Sequence, residues 1–223
     1  MNENFMESGM LDARRQWVAV LGAAKRFEPW QLELGYRLGL AVAGSGMGLI
    51  TGATTGIPLA AAVGAKDQGG QVLGISPAEN PREHVGHFAK PLAFHDIILY
   101  TGLGNDGRSP MIVRSAAIAI FAGGEAGTLQ EFAAAWLNGT PVIGILENSG
   151  GISDRLMDIS SSFKTSFGSR VVVSDQPEAL IKKCLDALNS QDANDASADT
   201  EPDPAAFAVL QGLQAIRKAD ARP

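Results

Sequence analysis

Short runs of apolar and β-branched residues alternate along this chain with longer segments in which apolar residues recur at helical spacing. This alternation predicts repeated βαβ units, that is, an α/β fold with a doubly wound, mostly parallel sheet of about seven strands and helices on both faces. The predicted strands are Trp17–Leu21, Gly48–Thr51, Gln71–Ile75, Asp96–Tyr100, Ala117–Phe121, Val142–Leu146 and Arg170–Val173. The predicted helices are Trp30–Ala43, Pro58–Gln68, Ser109–Ser115, Thr128–Leu137, Ser153–Ser162 and Pro177–Leu188. With right-handed crossovers, the turns that follow the strands meet at one edge of the sheet, where ligands bind in such folds.

Changes in composition divide the chain into four predicted segments. Residues 1–14 form an N-terminal extension, and residues 15–189 form the α/β domain. Residues 190–204, SQDANDASADTEPDP, predict a flexible acidic linker, because so little apolar surface cannot offset the entropy lost on ordering. Residues 205–223 regain apolar residues at helical spacing and predict a helical tail. Two alternatives stay open for this tail: it docks on the domain or on a second subunit, or it stays solvated.

Composition narrows the class of protein. The 223 residues suit one hydrophobic core, and 45% hydrophobic residues with 26 glycines suit a domain with many βα turns. The net charge of −6, without a cluster of Lys and Arg, argues against binding to nucleic acid. No apolar run approaches the roughly 18 residues that cross a bilayer, and no signal peptide opens the sequence, so we expect neither membrane association nor secretion.

The single cysteine and the three histidines offer little chemistry of their own. Cys184 lies in an amphipathic segment, which predicts buried packing, with a reactive thiol as the alternative; one cysteine excludes a disulfide framework and fits a cytoplasmic protein. His84 and His87 have a spacing seen in metal sites, but this spacing in a loop, residues 80–95, is a weak signal for a metal. We therefore expect no metal, and the loop either covers the ligand or has no role in binding.

The segment Ile118–Phe132, IAIFAGGEAGTLQEF, is an apolar strand that ends in glycines and resumes as a helix. Gly123, Gly124 and Gly127 lack a Cβ, so the turn can adopt positive φ and present successive backbone N–H groups to an anion. Thr128 adds a hydroxyl at the helix start, where the helix dipole also favours a phosphate. The pattern predicts a phosphate-binding loop.

Glu131 follows one turn into that helix. A carboxylate there is poorly placed for a phosphate but well placed for a ribose hydroxyl or a developing positive charge, so we interpret Glu131 as functional. The alternative is that the glycines form an ordinary strand-to-helix turn and that Glu131 only complements the helix dipole.

Two further turns are expected to border the ligand. The first follows Gly22 and contains Lys25 and Arg26, which either contact an anion or are solvated loop cations. The second places small polar residues between glycines, which lets a ligand approach the backbone closely. Its candidate ligand-binding residues are Gly52, Thr54, Thr55 and Gly56.

The string GGxxGTxxE after a β-branched strand resembles the signature of the LOG family, Rossmann-like proteins often labelled lysine decarboxylase-like. Ala122 stands where that family most often has Pro. Residues 48–58, 62–66, 69–77 and 107–115 resemble further segments of the family, so the likeness covers about residues 15 to 187. The resemblance implies a Rossmann-like nucleotide-binding domain, a small phosphorylated ligand, no cofactor and a homo-oligomer, dimer or higher.

The resemblance also implies a partner for Glu131. In nucleotide-cleaving members, an arginine at the start of the preceding helix acts with the motif glutamate on the sugar. Those members usually have an Arg-Lys pair, and this chain has Gly107 and Arg108 there, so Arg108 fits if the loop shifts by one residue. Arg114, further along the helix, is the competing candidate.

Two functions from different classes remain open. One is a phosphoribohydrolase that cleaves the N-glycosidic bond of a nucleoside 5′-monophosphate, with Glu131 stabilising oxocarbenium-like charge and Arg108 orienting the ribose or activating water. The other is a carrier or sensor of a phosphorylated pterin or nucleotide, because the segment before the glycines is closer to the branch that includes molybdenum-cofactor carrier proteins. Lysine decarboxylation is rejected, since no lysine shows the context of a Schiff-base site.

Overall fold

The computed structural model describes residues 17–164 and 167–195, without the side chains of residues 191–195. The predicted N-terminal extension, residues 1–14, and the predicted tail, residues 205–223, lie outside the described residues. The last helix continues to Asp195, beyond the predicted start of the linker at residue 190, and the linker from residue 196 onward also lies outside the described residues.

Seven parallel strands form one sheet, as the sequence predicts. The strands are β1 (Trp17–Gly22), β2 (Gly48–Thr51), β3 (Val72–Ser76), β4 (Ile97–Tyr100), β5 (Ile118–Ala122), β6 (Val142–Leu146) and β7 (Arg170–Ser174). The helices are α1 (Pro29–Gly44), α2 (Ile57–Asp67), α3 (Pro81–Gly86), α4 (Gly104–Arg114), α5 (Ala126–Leu137), α6 (Leu156–Ser161) and α7 (Pro177–Asp195), with a 3-10 turn at Ser153–Arg155. The predicted doubly wound α/β fold is confirmed.

Helix α3 lies in the segment for which the sequence predicted only a loop. Its start has ordinary signals: the Asn80 side chain accepts a hydrogen bond from the Glu83 amide at 3.0 Å, and Pro81 occupies the first turn. Helix α4 also begins earlier than predicted, at Gly104 instead of Ser109, although Pro110 lies inside it. Helix α3 and the first part of α4, residues 104–108, have too few apolar residues at helical spacing to show in the sequence.

The sheet separates two hydrophobic cores because alternate side chains of each strand point to opposite faces. Helices α1, α2 and α7 cover one face, where Val18 and Val20 of β1 pack. Helices α4, α5 and α6 cover the other, which receives Ala19 and Leu21 of the same strand. Cys184 lies on the first face, and burial raises the pKa of its thiol to about 12, so it packs as an inert apolar residue, as expected.

Helices α1 and α2 approach until their backbones touch. A Cβ added at Gly35 would lie 2.6 Å from the Ile57 carbonyl oxygen, and one at Gly64 would lie 3.1 Å from the Leu40 amide. Such contacts exclude any larger residue at these positions without a shift of one helix. The pair therefore holds a fixed spacing, and with it the loops β1–α1 and β2–α2 that precede the two helices.

The strand order is β4-β3-β2-β1-β5-β6-β7, so the direction of winding reverses between β1 and β5. The loops that leave these two strands turn to opposite faces and open a crevice at their carboxyl ends. The register brings Gly22, at the end of β1, beside Ala122, at the end of β5. The fold therefore places the first turn and the glycine motif at a single site. Within the described residues, no helix has the length and apolar character needed to cross a membrane.

Candidate functional site

A cleft of about 300 Å³ lies at the carboxyl ends of β1, β2 and β5. Eleven residues were predicted from the sequence to form the site, and most of them border this cleft. Those that line it are Gly22, Gly52, Thr54, Arg108, Gly124, Gly127, Thr128 and Glu131. Arg114, the competitor of Arg108, is exposed at the end of α4 and does not line the cleft.

Three predicted ligand-binding residues do not line the cleft and instead shape its loops. The Thr55 hydroxyl donates to the Ala24 carbonyl, and Gly56 has a φ of +71° with the Ala23 carbonyl where a Cβ would lie. Both residues tie the β2–α2 loop to the β1–α1 loop. The Gly123 amide is also occupied: the hydroxyls of Ser149 and Ser153 accept from it at 2.9 and 2.6 Å. Its N–H group therefore bonds to other residues of the protein and is not available to a ligand.

Residues 123–128, which we call the glycine wall, are held in place by hydrogen bonds from the loop that follows β6. The Ile152 amide donates to the Gly124 carbonyl at 2.9 Å, and the Ser153 amide donates to the Gly123 carbonyl at 3.3 Å. Gly124 has a φ of +85°, and a Cβ there would lie 2.7 Å from the Cβ of Thr128. Only glycine satisfies both conditions, so the wall's shape depends on this position.

The first turn of α5 begins in the glycine wall. Helix α5 starts at Ala126, and its first intrahelical bond runs from the Leu129 amide to the Glu125 carbonyl at 3.1 Å. The amides of residues 126–128 precede that bond and have no acceptor within the helix. This wall therefore offers backbone donors and the positive end of a helix dipole to an anion.

Arg108 is buried, with 6% of its surface exposed, beneath the β2–α2 loop. Its Nη1 donates to the Gly52 carbonyl and, at 3.0 Å, to the Ile75 carbonyl, so the side chain joins the ends of β2 and β3. Its Nε is buried without a partner among the described residues. Burial lowers the pKa of Arg108, and the nearby Glu131 carboxylate opposes that shift. The guanidinium thus has structural bonds on one nitrogen and unused donors on the others.

Glu131 lies half-buried in the cleft on α5. Burial raises the pKa of its carboxyl group to about 7, although Arg108 and Lys90 both favour the ionised form. No donor among the described residues lies within hydrogen-bonding distance of this carboxylate, so solvent or a ligand must satisfy it. Near neutral pH the group therefore exists in both protonation states.

Lys90 lines the cleft, and sequence reasoning gave it no role. Burial lowers the pKa of its ammonium to about 7, the Arg108 charge adds to the shift, and Glu131 opposes it. We call Lys90 and Arg108 the charged wall. A lone lysine in a loop belongs to no recognisable sequence motif. Only the folded structure shows that the β3–β4 connection brings Lys90 to the cleft.

The loop cations Lys25 and Arg26, for which two roles were open, both line the cleft. Arg26 lies 3.6 Å from the Glu125 carboxylate, and both side chains are largely exposed. Such a pair contributes little to stability. Asn105 and Asp106, at the start of α4, complete this rim and were also not predicted.

Two of the three histidines have clear structural partners. His84 is fully buried: its Nε2 donates to the Pro91 carbonyl at 3.1 Å, which leaves Nδ1 to accept from the Ser76 hydroxyl at 2.8 Å. His95 bonds to Thr51 in a similar way, at 3.0 Å. Within residues 17–164 and 167–195, no group of three or more His, Cys, Asp or Glu side chains is arranged to hold a metal ion.

A family profile described as the SLOG cluster4 family matches residues 15–181, most of the chain. The chain belongs to the SLOG cluster4 family. The resemblance to LOG proteins that the glycine motif suggested is thereby confirmed. Within curated proteins, an uncharacterised protein of Archaeoglobus fulgidus is 34% identical over 125 residues, which are 56% of this chain and 76% of that protein.

Solved structures place this SLOG protein near the branch anticipated from the sequence. The molybdenum cofactor binding protein from Rippkaea orientalis is 28% identical with a TM-score of 0.61, and the match covers 81% of this chain and 99% of that one. The molybdenum cofactor carrier protein from Chlamydomonas reinhardtii is 22% identical with a TM-score of 0.61, covering 79% of this chain and 99% of that one. At that lower identity, the second likeness shows the shared fold alone.

Proposed function

We propose that this protein binds a small phosphorylated ligand of the pterin or nucleotide type in the cleft and acts as its carrier or sensor. The proposal depends on one observation: one cleft of about 300 Å³ joins the start of α5, whose first amides have no acceptor among the described residues, to the cations of the charged wall. This volume is at the lower end of the range for small-molecule sites, about 300–1,000 Å³. We expect no nucleic acid as a ligand, since the net charge is −6.

The glycine wall is the proposed phosphate site. Gly124, Gly127 and Thr128 line the cleft there, and the free amides of the first turn can donate to phosphate oxygens. Gly22, Gly52 and Thr54 border the rest of the ligand, where the absence of large side chains admits a flat ring. Glu131 can accept from a ribose hydroxyl or a ring amino group.

Arg108 supports a carrier better than a hydrolase. Its Nη1 is bonded to two backbone carbonyls, so a substantial part of its hydrogen-bonding capacity joins β2 to β3. The sequence also has Gly107 at the position of the arginine in the Arg-Lys pair of nucleotide-cleaving LOG proteins. The 28% identity to a molybdenum cofactor binding protein supports the same choice.

Calorimetry with matched pairs of ligands tests the proposal. The pairs are AMP with adenosine and a pterin phosphate with the free pterin, and molybdopterin is added as a third phosphorylated ligand. We expect at least one phosphorylated member to bind, and to bind more than about tenfold tighter than its unphosphorylated partner, because charge-assisted bonds to phosphate are the stronger ones. Equal affinity within each pair, or no binding at all, would overturn the proposal.

A phosphoribohydrolase is the second candidate, and the pKa of Glu131, raised to about 7, favours it. In its protonated form the carboxyl group can protonate a leaving base, and in its ionised form it can stabilise positive charge on the sugar. Release of free base from nucleoside 5′-monophosphates, including N6-substituted adenosine forms, is the test. Release that disappears in Glu131→Gln would establish the enzyme, and no release alongside tight binding would leave the carrier.

The family resemblance also leads us to propose a homo-oligomer, dimer or higher, and the single cysteine leads us to propose that it is cytoplasmic. Light scattering after size exclusion, with the full chain at several concentrations, measures the mass directly. A mass equal to one 23.3 kDa chain at all concentrations would contradict the proposed oligomer.

A further inference from the structure

We propose that Lys90 is an additional ligand-binding residue, whose ammonium contacts an anionic group of the ligand beside Arg108, and that ligand binding takes up a proton there. This inference rests on the proposed function, because it assumes that an anion occupies the cleft. It adds a residue from a third loop and a pH dependence that the glycine motif alone does not provide.

The first support is that Lys90 borders the cleft with its ammonium unused. Among the described residues, no acceptor lies within hydrogen-bonding distance of its Nζ, and no carboxylate lies within ion-pair distance. By contrast, the ammonium of Lys66 lies 2.7 Å from the Asp96 carboxylate and that of Lys183 donates to the Val173 carbonyl at 3.1 Å. A half-buried cation without a partner, in a cleft lined by amides, has an anion as its natural complement.

The second support is that the backbone around Lys90 is fixed by a buried side chain. The Lys90 amide donates to the His84 carbonyl at 3.0 Å, and the next carbonyl, of Pro91, accepts from the His84 ring at 3.1 Å. The ring is held in turn by the Ser76 hydroxyl at the end of β3. The loop is therefore positioned through its backbone, which leaves the Lys90 side chain free for a ligand.

The charges that face Lys90 come from several elements. Burial, Arg108 on α4 and Lys25 in the first loop all lower the pKa of Lys90, and Glu131 on α5 raises it, with a result of about 7. Arg26, Glu125 and Asp106 complete the charged lining at the rim. A bound anion raises the pKa of Lys90 again, so binding takes up a proton. Glu131 responds in the same direction, because an anion also raises the pKa of a neighbouring carboxyl group.

The expected consequence is that affinity for an anion falls as the pH rises above 7. If the bound anion keeps Lys90 fully charged, the affinity falls by roughly tenfold per pH unit above the pKa of the free protein. The ligand does not cause this loss, because a phosphomonoester has its second pKa near about 6 and stays a dianion above neutral pH. Sulfate, a dianion throughout this range, serves as the minimal probe.

The test compares Lys90→Arg, Lys90→Met and Lys182→Met, the last at an exposed position on α7 outside the cleft lining. Nuclear magnetic resonance follows the lysine Cε signals of the full chain against pH, in sulfate and in chloride at equal ionic strength. We expect the Lys90 signal to titrate near neutral pH in chloride. In sulfate, we expect the pKa of Lys90 to rise by more than about one unit. Calorimetry with AMP then measures affinity and proton uptake for each variant.

Lys90→Arg is the decisive variant, because it keeps the charge and removes the titration. We expect it to bind AMP at pH 7 at least as well as wild type, with less proton uptake and a flatter pH profile that retains only the Glu131 part. Lys90→Met should lose roughly tenfold or more in affinity at pH 7, and Lys182→Met should match wild type.

The outcomes separate this inference from the proposed function. A Lys90 signal that responds to sulfate while every phosphorylated ligand fails would reject the ligand class and support Lys90 as an anion contact. Binding of AMP or a pterin phosphate with wild-type affinity and pH dependence in both Lys90 variants would overturn the Lys90 inference and leave the proposed function standing. If sulfate leaves Lys90 unaffected and no phosphorylated ligand binds, both proposals are wrong.

Discussion

The glycine wall and the charged wall of the cleft differ in how their polar groups are satisfied. In the glycine wall, carbonyls and the Gly123 amide bond to the loop after β6, and the amides of residues 126–128 have no acceptor among the described residues. In the charged wall, within the part of the chain that the structure describes, Arg108 has hydrogen bonds on Nη1 alone and the Lys90 ammonium has none. The comparison indicates that one wall supplies a fixed shape and the other supplies charge that responds to its surroundings.

Among variants of the two walls, Arg108→Met is expected to have the largest effect, because it removes the structural bonds of the charged wall. The change leaves the carbonyls of Gly52 and Ile75 without their donor in a buried site, so we expect the free energy of unfolding to fall by about 3 kcal/mol. Urea denaturation followed by tryptophan fluorescence measures it. Arg114→Met, exposed on the same helix, is the control and should stay within about 0.5 kcal/mol of wild type. A loss of less than about 1 kcal/mol in Arg108→Met would show that this arginine has little structural role.

The next largest effect is expected when the shape of the glycine wall is changed. The test variant is Gly124→Ala, and Gly46→Ala is its control. Gly46 has a similar φ, +81°, but open space where a Cβ would lie, whereas Gly124 faces Thr128. Both variants should lose about 1 kcal/mol of unfolding free energy through the positive φ. Only Gly124→Ala should also bind a phosphorylated ligand more weakly, by roughly thirtyfold, or about 2 kcal/mol. Equal affinity in the two variants would exclude the glycine wall from the binding site.

Much of the fold, and part of the site, follows from the sequence alone. Buried parallel strands read as short continuous apolar runs, so the bounds of β2 and β6 were predicted correctly to the residue. The role of Gly123 was not predictable, because its amide bonds to Ser149 and Ser153, 26 and 30 residues away. Lys90 was missed for the same reason, since only tertiary structure brings its loop to the cleft.

A smaller effect is expected from Glu131→Gln, which removes a titrating group from the cleft. The pKa of Glu131 rises from 4.5 to about 7 on folding, so the proton it holds stabilises the folded state below pH 4.5 and that stabilisation is lost as the pH rises through 7. The variant should therefore be more stable than wild type above neutral pH, by about 1.5 kcal/mol after allowing for solvent at the half-buried group. Urea denaturation at a series of pH values checks the sign. A difference that does not change with pH would show that Glu131 titrates normally.

The smallest effect is expected from the serines behind the glycine wall. Ser149→Ala and Ser153→Ala each leave the Gly123 amide with one acceptor, so each should cost about 1 kcal/mol or less. The double variant leaves that amide unpaired and should cost about 1 kcal/mol more than the sum. A double-mutant cycle by chemical denaturation measures the difference. Simple additivity would mean that the two hydroxyls hold the wall independently.

The close packing of α1 on α2 bears on how a ligand enters the cleft. The Ile57 amide donates to the Ala23 carbonyl at 2.8 Å, so the loops before these helices are joined to each other as well as to a rigid helix pair. The two loops can move only together and cannot part to admit a ligand. The ligand therefore enters past the rest of the cleft's border, which includes Lys90 and Asp106. A ligand that passes Lys90 meets a titrating cation, so the rate of ligand entry and release should depend on pH together with the affinity.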